Sequence, residues 1–83
     1  MDFALAQSYI RTQRFDETIN VLDKLLKKDI NDDNKQKALY LKGSVLKTSG
    51  QDSQAAFEQC VNINYEGAWK SLCAQALNIL KGN

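Results

Sequence analysis

The chain has 83 residues, enough for about one small domain, and a chain of this size buries only roughly 60% of the surface it exposes when unfolded. Hydrophobic residues make up 43% and charged residues 25%, the balance of a globular domain and not of a disordered tail. Eleven Lys and Arg oppose ten Asp and Glu, a net charge of +1 without the basic excess of a nucleic-acid binder. Histidine is absent, which removes the usual general base and the commonest metal ligand.

Proline is also absent, and helical spacing runs through the whole chain. Phe3, Ala6 and Ile10 repeat at steps of three and four, with Asp2 placed to cap the first turn. Amphipathic residues begin directly after Met1, an abrupt start that suggests either a compact protein or, preferably, a piece of a longer one. The phase breaks near Thr12-Gln13-Arg14, and Phe15, Ile19, Leu22 and Leu26 then form a second stripe that closes on Lys27-Lys28. The polar run Asn31-Asp32-Asp33-Asn34 predicts a turn in which either Asp caps the next helix. That helix carries Ala38, Leu41 and Val45, with Leu39 and Leu46 alongside.

Ser49-Gly50-Gln51-Asp52-Ser53 is the clearest turn, with Gly50 suited to positive φ and Asp52 or Ser53 to a cap. A short fourth helix holds Ala56, Phe57, Cys60 and Val61 and ends at Asn62-Ile63-Asn64. The fifth carries Trp69, Leu72, Cys73, Ala76, Leu77 and Leu80, with Gly82 as a plausible stop. No apolar run approaches the ~20 residues of a membrane span, and the first residues do not form a basic segment leading into a hydrophobic one.

Cys60 and Cys73 are too few and too far apart for a zinc site. Two readings stay open: two small buried thiols, or one disulfide across a helix hairpin turning near Tyr65. Neighbouring helix axes 8–10 Å apart often leave Cα atoms beyond the 4.4–6.8 Å that the bond takes.

Internal spacing separates a bundle from a stack of helix pairs. Ala6 and Gly43, Tyr9 and Leu46, and Gln13 and Gly50 are each 37 residues apart. Leu22 and Phe57, Leu25 and Cys60, and Leu26 and Val61 are each 35 apart. Leu39 and Trp69, Gly43 and Cys73, and Leu46 and Ala76 are each 30 apart. A period near 34 points to helix-turn-helix repeats.

On these residues the chain resembles the tetratricopeptide repeat family. Leu39-Tyr40-Leu41-Lys42-Gly43, then Leu46 and Gly50, is similar to the family's first-helix pattern, and Leu5-Ala6, Tyr9, Phe15, Leu22 and Leu25-Leu26 to a fuller copy. Phe57, Cys60 and Val61 fall at second-helix positions, and Trp69, Leu72 and Cys73 resemble the start of a third repeat. The departures are the missing prolines, Lys42 where leucine is usual, and Thr18 and Ser53 where alanine is usual. The resemblance implies an all-α fold of five helices, antiparallel hairpins stacked as a short right-handed α-solenoid. Repeat 1 would span about 2–31, repeat 2 about 33–64 and a capping helix about 66–81, all in a single domain.

In that family the first helices line a concave face that takes peptides. The matching positions here are Gln7, Arg11, Lys37, Tyr40, Ser44, Lys47 and Lys70, with Phe3, Ile10 and Ala74 among them. The set is mildly basic, which suits an acidic or carboxylate-bearing peptide. Phe3, Gln7 and Ala74 stand where chaperone-tail binders of the family carry other residues, which argues against that clamp.

Other chemistry is poorly supported. Asp32 and Asp33 read as caps and not as an acid–base pair, and Asn31–Asn34 lacks the glycine and the distal Glu of a calcium loop. Lys24, Lys27 and Lys28 are flanked by Asp23 and Asp29 and read as a solvated face. The expectation is a non-enzymatic adaptor, scaffold or assembly factor without metal or cofactor, binding a protein or peptide but neither nucleic acid nor membrane, as a monomer or weak homodimer. The alternative is a set of terminal structural repeats of a larger scaffold, used for self-association or packing on another domain.

Overall fold

The computed structural model describes residues 14–82, all of whose regular structure is helical. Four helices follow in order: α1 (Phe15–Lys27), α2 (Asp32–Thr48), α3 (Gln54–Asn62) and α4 (Ala68–Gly82). The first helix expected from the sequence, with Phe3, Gln7, Ile10 and Arg11, lies outside the described residues.

Charge placement favours α1, since Asp16 and Glu17 stand at its positive end and Lys24 and Lys27 at its negative end. Its inner face buries Thr18, Leu22 and Leu25. The Thr18 hydroxyl donates to the Arg14 carbonyl at 2.8 Å, so its polar atom is satisfied although the residue is fully buried.

Asn31 caps α2, its Oδ1 accepting from the Asn34 N–H at 2.9 Å. The expectation of an aspartate cap is thus off by one position. Asp32 and Asp33 instead sit inside the first turn, where their charge meets the helix dipole. Gly50 has φ of 80° and ends α2 in a Schellman motif: Gln51 N–H donates to the Leu46 carbonyl at 2.8 Å and Gly50 N–H to the Lys47 carbonyl at 3.1 Å. Between Asp52 and Ser53, Asp52 does the capping, its carboxylate accepting from the Gln54 N–H at 3.1 Å.

α2 is the central helix. It packs on α1, α3 and α4, and its buried residues Gln36, Ala38, Leu39, Gly43 and Val45 point several ways because neighbours cover it on several sides. Leu22 and Leu25 of α1 meet Ala38 in one cluster, and Leu39, Phe57, Cys60, Cys73 and Leu77 form the other. Leu26 packs against both and makes them continuous. α4 lies on α3 and on α2, while α1 has no substantial contact with α4, so the four helices do not close into a ring.

The open question about the cysteines is resolved as a disulfide, Cys60–Cys73, with Cα atoms 6.2 Å apart. The turn between α3 and α4 brings the two residues level, and both are fully buried at the crossing. Gln36 pins that turn from below: its Nε2 donates to the Tyr65 carbonyl at 2.8 Å and to the Ile63 carbonyl at 3.4 Å.

Candidate functional site

A groove of about 460 Å³ runs between α2 and α4. One turn after another of α2 supplies Tyr40, Ser44, Lys47 and Thr48 to one wall. Residues 40, 44, 47 and 48 share a face because they recur at helical steps of three and four. The opposite wall is Leu72, Gln75, Ala76 and Ile79, again at steps of three, one and three, and Phe57 of α3 forms the floor.

Phe57 is 1% exposed, whereas Ile79 on the rim is 59% exposed, a large apolar side chain left largely in water. Tyr40 stands between two rings, 6.0 Å from Phe57 and 5.6 Å from Trp69 between centroids, which fixes its orientation at the groove's edge. Lys37 extends over Trp69, its ammonium 5.8 Å from the ring centroid, a cation–π contact that continues the same aromatic series.

Among the described residues the lining carries no carboxylate. Its described cation is Lys47, which has no ion pair among the described residues, whereas Lys42 pairs with Asp23 at 2.7 Å and Lys70 with Glu66 at 2.8 Å. Thr48 donates its hydroxyl to the Ser44 carbonyl at 2.9 Å, leaving the Ser44 hydroxyl and the Gln75 amide without a hydrogen bond to the described residues. Among the described residues the groove therefore offers an apolar floor and rim, neutral hydrogen-bonding groups and one positive charge. Among the described residues no three His, Cys, Asp or Glu side chains come together as metal ligands, and no helix is long and apolar enough to cross a membrane.

Of the residues singled out from the sequence, Tyr40, Ser44 and Lys47 come together in this groove. Lys37 lies beside it on Trp69, and Lys70 on α4 is not part of the lining and is held by Glu66. Gln7 and Arg11 lie outside the described residues. The sequence reading did not single out Leu72, Gln75, Ala76 and Ile79 as a site. Their spacing was the available signal, a second stripe on α4 rotated from the Cys73–Leu77 core line. No family model, no curated protein and no solved structure matches the chain.

Proposed function

We propose that this chain is a non-enzymatic interaction module that binds a peptide segment of another protein in the α2–α4 groove. The observation that carries the reading is the groove's make-up: exposed Ile79 and buried Phe57 offer an apolar seat, and Lys47 is the charge beside it with no carboxylate among the described lining residues. The fitting occupant is a segment with a large apolar side chain next to an acidic residue or a terminal carboxylate, because a basic segment would meet Lys47 unfavourably.

A tetratricopeptide-like arrangement is the architecture that best accounts for this groove. In such a stack α2 and α4 are the first helices of consecutive repeats, and α1 and α3 are second helices. The open neighbour pattern, in which α2 meets α1, α3 and α4 while α1 has no substantial contact with α4, favours repeats laid side by side over a closed bundle. Exposed Ile79 also favours a second reading, self-association of terminal repeats through the same rim.

Peptides selected from a random display library against the folded chain test the proposal. Those that bind should carry an acidic and a bulky apolar residue, lose at least about tenfold in affinity against Lys47→Glu, and shift the amide resonances of Ser44, Gln75 and Ile79. Equal binding by wild type and Lys47→Glu, or shifts confined to other faces, would overturn it. Sedimentation over a wide concentration range separates the second reading: concentration-dependent dimers abolished by Ile79→Glu would support it.

A further inference from the structure

The disulfide stands apart from the groove's lining and asks a separate question: how it is made. Cys60 and Cys73 are the only cysteines of the chain, both are fully buried, and both are consumed in the bond. They lie at the centre of the cluster with Leu39, Phe57 and Leu77, thirteen residues apart across the α3–α4 turn.

The two helices it joins are poorly equipped to hold each other alone. α3 has nine residues, shorter than helices that persist without tertiary support. Of α4's apolar residues other than Cys73, only Leu77 is buried; Trp69, Leu72, Ala76 and Leu80 are partly covered, and Ile79 faces water. A cross-link over a loop of this length shifts a closed-to-open equilibrium by on the order of a hundredfold. In a domain this small that is a large share of what keeps α4 in place.

We propose that this chain is a client of thiol oxidation, receiving its Cys60–Cys73 bond by exchange from a disulfide-bearing carrier in an oxidising compartment before α4 docks. The thiolate of one cysteine attacks a sulfur of the carrier's disulfide, forming a mixed disulfide and releasing one carrier thiolate. The second cysteine then attacks the chain's sulfur in that mixed disulfide, closing Cys60–Cys73 and releasing the second carrier thiolate. Two electrons pass to the carrier, whose disulfide becomes a dithiol, and the two protons lost by the cysteines end on its thiols. Each attack needs an open path to a sulfur atom, which the docked helices do not leave. The bond therefore forms on the undocked chain, and once covered it resists free thiols until α4 lifts. Buried disulfides of this kind belong to proteins matured outside reducing compartments. The inference does not depend on what the groove binds.

Two measurements test it. Reduced, unfolded chain diluted into oxidised glutathione should pass through a glutathione adduct, visible by mass, to the closed form. α4 amides of the closed form should exchange at least about tenfold more slowly than those of chain kept reduced by a phosphine, with Trp69 fluorescence reporting the same step. Separately, chain taken from the cell that makes it, with thiols blocked at lysis and unfolded afterwards, should carry no blocked cysteine. Two blocked cysteines in that sample would overturn the proposal, as would equal α4 protection in the oxidised chain and in a Cys60→Ala/Cys73→Ala variant. Should that variant fail to fold, the cellular thiol count decides alone.

Discussion

Gly43 of α2 lies directly against the ring of Phe57: a Cβ built on Gly43 would stand 2.6 Å from Cε1, 2.7 Å from Cζ and 2.8 Å from Cδ1. The ring cannot withdraw, since Phe57 is 1% exposed and is packed with Leu39, Cys60, Cys73 and Leu77. The missing side chain lets α2 and α3 approach, and the same ring is the groove's floor. Gly43→Ala gains up to about 1 kcal/mol of helix propensity but loses more to overpacking, about 1–3 kcal/mol. Denaturant titration should show a net loss of roughly 1–2 kcal/mol, with Tyr40 and Phe57 resonances displaced; an unchanged or raised midpoint would contradict this contact.

Gly50→Ala should also destabilise, for a different reason. Nothing lies within 4 Å of a Cβ there, so the cost is the positive φ of 80° alone, about 1–2 kcal/mol. Gly50→Asn should recover part of the loss, since asparagine tolerates that conformation better. Thermal unfolding of the pair checks the order.

Removal of the Gln36 side chain exposes a weakness at the α3–α4 turn. Gln36→Ala strips the Ile63 and Tyr65 carbonyls of their side-chain donor inside the protein and opens a cavity beneath the turn. A loss of about 2–3 kcal/mol is expected, because the part-buried Tyr65 carbonyl loses its side-chain donor and the void adds its own cost, while the Ile63 carbonyl keeps the Tyr65 N–H at 2.8 Å. The Gln36 Oε1 has no partner among the described residues, so Gln36→Glu, which also removes the donor, should be no milder. Chemical denaturation of the two variants measures both.

Lys42, which stands where the resembled family has leucine, reaches across to α1 and pairs with Asp23 at 2.7 Å. Both side chains are substantially exposed, at 28% and 41%, so a double-mutant cycle of Lys42→Ala and Asp23→Ala should give a coupling of only about 0.5–1 kcal/mol. Raising the salt to 1 M should reduce it further.

Ile79→Glu should leave stability within about 0.5 kcal/mol of wild type, because the side chain is 59% exposed and supports little packing. The same change should weaken capture of acidic peptides by placing a carboxylate on the groove's rim. Unfolding curves and peptide titrations on one preparation separate the two effects.

Much of this was legible in the sequence because it is local. Periods of three and four marked α1 to α4, and Gly50 marked its turn. Cap choice was less legible: Asn31 and Asp32 are chemically near-equivalent, and only the backbone path selects Asn31. Tyr40, Ser44 and Lys47 could be named in advance through the family resemblance, which placed them on one face of one helix.

The facing wall could not, because Leu72, Gln75, Ala76 and Ile79 look like core until the rotation of α4 about its axis is known. Nor could the state of Cys60 and Cys73, which turns on a 6.2 Å approach between two helices. By itself the order of residues dictates where the chain coils, since coiling depends on neighbours three and four places away. How closely the coils cross, and so which sulfurs bond and where a groove is left, was decided by packing among residues far apart along the chain.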